Sequence, residues 1–251
     1  MKRILTILSC AVLLLTACQQ DASLAPGQGH ICLRLSADDV LQTRAQQDVD
    51  DPSSWYAVIS NDSETLYNKK IGEGLSAQTF DAGTYSISVR NYDTPEAAID
   101  ANSGWGDAYH TGEASDIEVS AGGTAYVHIA CGRSLNAKFR LDYSEFSGII
   151  NSLSITAPKT LTFAYADGTL ANEAFFEPLA TLTYTITYTI AEETKTTEPQ
   201  TMTLGGAATV SILKIKSDIY GTLSISLTCD NEFEGDAQSD IIIDGASGTD
   251  N

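Results

Sequence analysis

The sequence predicts an all-β protein built from two β-sandwich domains in tandem. Apolar and polar residues alternate with a period of two, the alternating runs are rich in β-branched and aromatic residues, and Gly, Asn and Asp separate the runs. The length of 251 residues fits two modest domains better than one, at roughly 100 to 150 residues per domain.

The first half of the chain contains seven predicted strands at the close spacing of a sandwich. Hairpin-type turns separate some of them, for example Asn61-Asp62 and Ala121-Gly122-Gly123. One helical turn is predicted at 94–98, where a threonine cap precedes proline and glutamate. The predicted strands are Ile31–Leu35, Trp55–Asn61, Thr65–Ile71, Ala77–Phe80, Thr84–Asn91, Asp116–Ser120 and Thr124–Cys131.

The second half repeats this pattern, most clearly in Thr181–Ala191. Its large apolar residues share one face and five threonines share the other, which predicts a buried face and a solvated face. A slip of one residue would expose every large side chain, so we expect a fixed register. The predicted strands are Leu135–Asp142, Leu153–Ala157, Leu161–Ala166, Thr181–Ala191, Thr201–Leu204, Thr209–Ile215, Leu223–Asp230 and Asp240–Asp244.

The N-terminal residues have the pattern of an export signal. Met1-Lys2-Arg3 is followed by an apolar run from Ile4 to Leu15, too short to span a bilayer. The run closes on Leu15-Thr16-Ala17-Cys18, the pattern of a bacterial lipobox, which predicts cleavage before Cys18 and a lipid anchor on that residue. The alternative is an ordinary signal peptide that happens to contain a cysteine.

The domain organisation follows from these segments, with a boundary expected at Gly132-Arg133. We expect a signal peptide, a flexible stalk rich in Gln, Ser, Pro and Gly, two sandwiches and a polar tail. The predicted ranges are 1–17, 18–29, 30–132, 133–245 and 246–251, in that order.

Composition argues against several classes of function. The formal charge of −19 makes nucleic acid a poor partner, because a polyanion requires a basic surface. Three histidines without metal-ligand spacing, and the lack of any nucleophile elbow or phosphate loop, predict a protein without enzyme activity, metal or cofactor.

Cys131 and Cys229 share strand parity with apolar neighbours, so buried free thiols are favoured over a Cys32–Cys131 disulfide.

A series of short motifs carries a family resemblance through their order and spacing, although each alone is weak. The chain resembles the fimbrillin-type lipoproteins of Bacteroidetes, and more closely a two-domain branch related to pilus subunits and anchors. The motifs are Ala82-Gly83-Thr84-Tyr85, Trp105-Gly106, Tyr109, Ala130-Cys131, Leu135-Asn136-Ala137-Lys138, Leu161-Thr162-Phe163 and Ala174-Phe175-Phe176.

The resemblance implies two transthyretin-like, Greek-key sandwiches and a role as a non-catalytic adhesion or pilus subunit or anchor, lipid-anchored at the outer membrane and exposed at the cell surface. In fimbrillins an arginine-specific protease cuts after the first strand, and a strand of the neighbouring subunit replaces it. The matching residues here are the strand Ile31–Leu35 and Arg44, the only basic residue of 36–54. A plain surface loop with one arginine is the alternative.

Two further features have alternative interpretations. Asp240–Asp244 contains three consecutive isoleucines, which suit either a strand donated to a neighbour or an ordinary last strand. Trp105 and Tyr109 lie in a glycine-broken loop, where they either stack on a sugar or pack over the sandwich edge. The first of these options defines the alternative function, a glycan-binding surface lipoprotein.

Overall fold

A computed structural model shows two compact units and confirms the all-β fold class, with sandwich-like sheets and one α-helix among the described residues. The first unit combines the chain up to Asn91 with Thr111–Gly132, and the second combines Tyr92–His110 with the chain from Arg133 onward. The structure describes residues 24–36, 51–132, 134–166, 169–170, 173–190, 192–217, 223–231 and 241–243.

The first unit consists of two sheets. A three-stranded sheet has the order β4-β1-β7, in which β1 and β7 are parallel, and a four-stranded sheet has the order β3-β2-β5-β6. The strands are β1 (Gln28–Ser36), β2 (Tyr56–Ser60), β3 (Thr65–Lys70), β4 (Phe80–Asp81), β5 (Gly83–Arg90), β6 (Thr111–Val119) and β7 (Thr124–Ala130).

The core of the first unit lies between these sheets and takes one residue in two from each strand. Ile59 of β2, Ile87 of β5 and Ile129 of β7 all belong to this core cluster. Their neighbours along each strand point outward, as the alternating sequence requires. Trp55, expected in the core, is buried there.

The second unit contains α1 (Pro95–Ile99) and two larger sheets. One sheet has the order β12-β8-β16-β17-β18, and the other has the order β11-β10-β9-β13-β14 with β15 also paired to β13. The strands are β8 (Ala137–Asp142), β9 (Ile149–Ala157), β10 (Leu161–Ala166), β11 (Thr169–Leu170), β12 (Glu173–Phe176), β13 (Thr181–Ile190), β14 (Glu193–Thr196), β15 (Gln200–Thr203), β16 (Thr209–Ser217), β17 (Leu223–Asn231) and β18 (Ile241–Ile243).

The two faces of β13 differ in the way the alternation predicts. Leu182, Tyr184 and Ile186 are fully buried in the core of the second unit. On the outer face, threonine hydroxyls pair with threonines of the neighbouring strands. The Oγ1–Oγ1 distances are 3.2 Å for Thr181–Thr203, 3.0 Å for Thr187–Thr196 and 2.9 Å for Thr189–Thr194. Such cross-strand pairs stabilise the sheet.

Several local elements differ from the sequence prediction. The segment predicted as strand Ala77–Phe80 begins in a 3-10 turn, Leu75–Ala77, and reaches strand geometry only at Phe80. The strands β11, β12 and β14 were not predicted. β11 has two residues and the other two have four, so each is too short for a period-two pattern to be recognised.

The residues 92–110 show the largest difference, because the prediction assigned them to the N-terminal sandwich. They follow β5 and precede β6 in the sequence, yet they pack within the second unit. The predicted helical turn is present as α1, and the hydroxyl of Thr94 caps it by accepting a hydrogen bond from the amide of Ala97 at 3.2 Å.

Candidate functional site

The first strand, β1, is paired mainly along one side. Residues 30–36 pair in parallel with 124–130 of β7. On the other side, β4 pairs only with Gln28 and Gly29, so no other described strand pairs with β1 from His30 onward. The histidine ring adds one contact there, between His30 Nδ1 and the carbonyl oxygen of Gln78 at 3.0 Å. One ladder therefore supplies most of the strand's main-chain hydrogen bonds.

The side chains of β1 complete the core of the first unit. Ile31 and Leu35 are 3% and 1% exposed, and Leu33 packs against the same cluster with partial exposure. These are the three residues expected on the buried side of the strand. At about 2 kcal/mol for each fully buried side chain, they contribute several kcal/mol that any replacing strand would have to supply.

Gly29 fixes where β1 enters the sheet. A Cβ atom at this position would lie 2.5 Å from the carbonyl oxygen of Ser120 and 2.8 Å from that of Gly123. These oxygens belong to the backbone of the β6–β7 turn, so a side chain cannot be accommodated by a rotamer change. A strand that occupies this position needs glycine here or must enter with a different register.

The predicted lipidation and processing residues, Cys18 and Arg44, lie outside the described residues. Cys131 and Cys229 are free thiols, so the Cys32–Cys131 disulfide is absent. Burial raises the pKa of the Cys131 thiol to about 12, which keeps it protonated and unreactive.

Trp105 is packed against the core of the second unit. Its ring meets that of Phe163 edge to face, with centroids 4.7 Å apart and planes at 86°. Its carbonyl oxygen accepts a hydrogen bond from the amide of Phe175 in β12 at 2.8 Å. Gly106 follows with a φ of 77°, and a Cβ atom there would lie 2.9 Å from the Cβ of Phe175. The glycine therefore permits this close approach.

Tyr109 is 6% exposed, and Asn136 holds its backbone at the start of β8. The Asn136 side chain accepts a hydrogen bond from the Tyr109 amide at 3.2 Å and donates one to the Asp107 carbonyl at 2.6 Å. The Tyr92 hydroxyl donates to the Asp107 carboxylate at 2.8 Å. Burial and this carboxylate raise the pKa of Tyr92 to about 12. The proposed sugar-stacking pair thus takes part in intramolecular packing.

Lys159 is a second connection to the same segment, and sequence analysis did not identify it. Its ammonium group donates to the carbonyl oxygens of Ile99 at 2.8 Å and Phe175 at 2.9 Å, and lies 4.7 Å from the centroid of the Phe176 ring. Burial lowers the pKa of Lys159 to about 8, although the nearby Asp100 carboxylate opposes this shift. A lone lysine after a proline carries no sequence signal for such a role.

The side chains that bind metals in proteins are dispersed in the described structure. No group of three or more His, Cys, Asp or Glu residues there is arranged to hold a metal ion. His128 contacts the hydroxyl of Ser36 at 3.0 Å on the β1–β7 pair, whereas His110 belongs to the second unit. None of the helices in the described part of the chain is long and apolar enough to cross a membrane.

The terminal strand β18 lies at the edge of its sheet. It pairs antiparallel with β17 of the same chain, with Ile241 opposite Leu227 and Ile243 opposite Ile225. This is the arrangement of an ordinary last strand. Donation of this segment to a neighbouring subunit stays a prediction.

The fold and the contacts of residues 92–110 define a two-unit, all-β protein whose first strand pairs, among the described strands, mainly with β7. Residues 27–244 match the family described as Domain of unknown function (DUF4493), and the chain belongs to this family. No curated protein sequence matches the chain.

Three solved structures have similarity to the chain. One is a candidate cell adhesion protein from Bacteroides uniformis, with 11% identity, a TM-score of 0.49, and coverage of 82% of this chain and 99% of that one. The tip fimbrial protein Mfa3 from Porphyromonas gingivalis has 10% identity, a TM-score of 0.46, and coverage of 81% and 99%. A fimbrial protein from Bacteroides ovatus has 6% identity, a TM-score of 0.31, and coverage of 79% and 54%.

Proposed function

We propose that this protein is a non-catalytic lipoprotein of the cell surface that serves as a fimbrillin-like adhesion or pilus component. In this role β1 leaves the first unit after cleavage at Arg44, and a strand of another subunit takes its place. The observation that carries the proposal is that the described strands pair with residues 30–36 of β1 on one side, through β7, although β1 supplies Ile31 and Leu35 to the core.

Departure of β1 would expose two complementary features of the first unit. The β7 strand would present the main-chain groups that now pair with residues 30–36. The core would lose the side chains of Ile31 and Leu35 and would retain pockets spaced four residues apart along a strand. An incoming strand with large apolar residues at that spacing would gain affinity from the main chain and specificity from the pockets.

The location rests on the sequence. The lipobox ending in Cys18 supports a lipid anchor, and the resemblance to fimbrillin-type lipoproteins supports the outer membrane and the cell surface. The lipid on Cys18 and the strand β1 both lie on the N-terminal side of Arg44. Cleavage at Arg44 would therefore separate the rest of the protein from its lipid, whereas an uncleaved chain would stay attached to the membrane as an anchor.

The test of strand exchange is limited digestion of the full-length protein with trypsin under native conditions. We expect early cleavage at Arg44, followed by a ladder of oligomers that persists on gels containing denaturant. A matched Arg44→Gln variant should remain monomeric under the same digestion. Cleavage at Arg44 that leaves only monomers contradicts exchange and favours a plain surface loop.

The test of location is surface labelling of intact cells with a reagent that does not cross membranes. We expect the wild-type protein to be labelled and to fractionate with the outer membrane, and a Cys18→Ala variant to lose its lipid and its membrane association. A protein labelled only after cell lysis would exclude both adhesion and a pilus role.

A further inference from the structure

The outer face of the sheet β3-β2-β5-β6 contains a cavity of about 340 Å³. This volume falls in the range of small-molecule pockets, roughly 300 to 1,000 Å³. The cavity lies on the side of the sheet that faces away from the core of the first unit, because its lining side chains alternate with the buried ones. Its principal lining residues are Val58, Ser60, Ser86, Ser88, Glu113 and Ser115.

Two backbone irregularities at the same level of the sheet account for this concave shape. On β6, Ser115 and Asp116 together lie opposite Ser86, and Asp116 has a φ of 56°. On β3, Leu66 is the extra residue where the register shifts beside Ser60. Ser60 and Ser86 face each other across β2 and β5. Bulges of this kind bend strands and redirect side chains, and here they flank one pair of serines.

Most polar groups around the cavity have no side-chain partner within the described structure; the exception is Ser115, whose hydroxyl donates to the Asp116 carboxylate at 3.3 Å. The hydroxyls of Ser60, Ser86 and Ser88 and the carboxylate of Glu113 make no side-chain hydrogen bond or ion pair with any described residue. The threonine hydroxyls on the outer face of β13 behave differently, because they pair with threonine hydroxyls of the neighbouring strands. A sheet face that pairs its hydroxyls stabilises the sheet, whereas the unpaired hydroxyls beside this cavity are available to a ligand.

The cavity combines an apolar floor with a polar rim. Val58 contributes its methyl groups, and the register places Val58, Ser88 and Glu113 in one row across three strands. With strands about 4.8 Å apart and alternate residues about 6.7 Å apart, the rim covers a patch of roughly 10 by 7 Å. These dimensions match a single sugar ring, which presents a C–H face and a margin of hydroxyls.

The charges near the cavity favour a neutral ligand. Lys70 and Arg90 lie 5.5 Å and 5.4 Å from the centroid of the Tyr56 ring, in the row of residues next to Val58. These cations disfavour a cationic ligand, and the Glu113 carboxylate disfavours an anionic one. A carboxylate can accept two hydrogen bonds from adjacent hydroxyls of a neutral sugar without any change in net charge.

We infer that this cavity, which we term the serine pocket and define by the lining residues Val58, Ser60, Ser86, Ser88, Glu113 and Ser115, binds a neutral monosaccharide unit of a surface glycan. Glu113 accepts hydrogen bonds from adjacent sugar hydroxyls, the serines complete the polar rim, and the methyl groups contact the C–H face. The inference is independent of strand exchange, because the serine pocket lies on the sheet that does not contain β1.

Saturation-transfer NMR on the full-length protein, in a detergent without sugar groups, tests this site. The probes are D-glucose, D-galactose, D-mannose, L-fucose and N-acetyl-D-glucosamine at millimolar concentration, with methylammonium and N-acetylneuraminic acid as charged comparisons. We expect transfer to at least one neutral sugar. Filling the pocket by Ser86→Trp should abolish the transfer, and Glu113→Ala should weaken binding about ten-fold or more, since the lost hydrogen bonds are charge-assisted.

The matched control is Glu118→Ala, which removes an exposed carboxylate from the same strand outside the serine pocket and should leave binding unchanged. Circular dichroism and the unfolding midpoint should confirm that every variant remains folded. Transfer to none of the five neutral sugars overturns the inference, and so does transfer to a charged probe alone. Equal binding by wild type and Glu113→Ala also contradicts it.

Discussion

The strands β1 and β8 open their respective units in equivalent ways but are held differently. Each is parallel to a later strand of its unit, β1 to β7 and β8 to β16. β8 also pairs with β12 along Ala137–Arg140, whereas β1 pairs with β4 only at Gln28 and Gly29. Among the described strands, removal of β8 therefore breaks two ladders and removal of β1 breaks mainly one. The same topological position supports either a permanent or an exchangeable strand.

Additional elements reinforce the side of β8 on which β12 lies. Residues 92–110 pack within the second unit, where Asn136 binds them at the start of β8 and Lys159 links them to β12. In the sequence this segment interrupts the first unit between β5 and β6. Because the segment packs within the second unit, its hydrogen bonds add to the contacts around β8 and β12.

The largest expected effect is the difference between two matched core truncations, Leu141→Ala in β8 and Leu35→Ala in β1. Both leucines are almost fully buried. We expect a loss of about 3–5 kcal/mol for Leu141→Ala and about 2–3 kcal/mol for Leu35→Ala, because a strand paired on one side can shift to refill the cavity. Urea unfolding of the full-length protein measures both values, and equal losses would contradict the comparison.

The exposed Leu179 provides a control for that experiment, since its side chain is 66% exposed. Leu179→Ala should change the free energy of unfolding by no more than about 0.5 kcal/mol.

The next largest effect is expected for Asn136→Ala. The substitution leaves the Tyr109 amide and the Asp107 carbonyl without their partner, at a cost of about 1–3 kcal/mol. Urea unfolding measures the loss, and hydrogen exchange should show faster exchange in residues 92–110. The control is the exposed Asn151, whose side chain accepts a hydrogen bond from the Thr189 hydroxyl: Asn151→Ala should change the free energy of unfolding little.

A smaller effect with a defined sign is expected from the pH dependence of Lys159. Its pKa falls from 10.5 to about 8 on folding, so between these values the unfolded chain holds a proton that the folded chain has released. The stability supplied by this residue therefore rises as pH increases from 8 to 10.5. Unfolding midpoints of wild type and Lys159→Met over this range measure the difference, and a constant gap would contradict the assignment.

The smallest effect is expected at the partly exposed ion pairs between β12 and β8. Glu173 contacts Lys138 at 2.9 Å and Arg140 at 2.6 Å. Burial raises the pKa of Glu173, but the hydrogen bonds and charges of these two cations outweigh it and lower the pKa overall. Glu173→Gln should cost about 0.2–1 kcal/mol at pH 7. The difference from wild type should disappear as pH falls through the lowered pKa, and urea unfolding at pH 7 and pH 3 tests this.

Long alternating runs made most of the fold predictable. Thr181–Ala191 has one register that buries its large side chains, and the structure adopts it in β13. The capped turn at Thr94 was also recognisable, because capping depends on neighbouring residues alone. Short strands such as β12 were not, since four residues hold too little of a periodic pattern even where they include the aromatic pair Phe175-Phe176.

Some residues of the candidate sites were likewise predictable from local sequence patterns, and others were not. The apolar side of β1, with Ile31 and Leu35, follows from alternation. The intramolecular packing of Trp105 and Tyr109 was one of two options that the loop sequence left open, and only contacts with residues distant in sequence distinguish them. Glu113 has no local motif, because its place beside the serine pocket depends on bulges in two separate strands.

The sequence by itself determined an all-β chain in two units, because a period of two in hydrophobicity is a local property that only a half-buried strand satisfies. The tertiary structure alone decided which unit receives residues 92–110, which described strands pair with β1, and which hydroxyls pair with another described side chain. These features depend on pairing between segments far apart in the chain, and a local pattern contains no information about its distant partner.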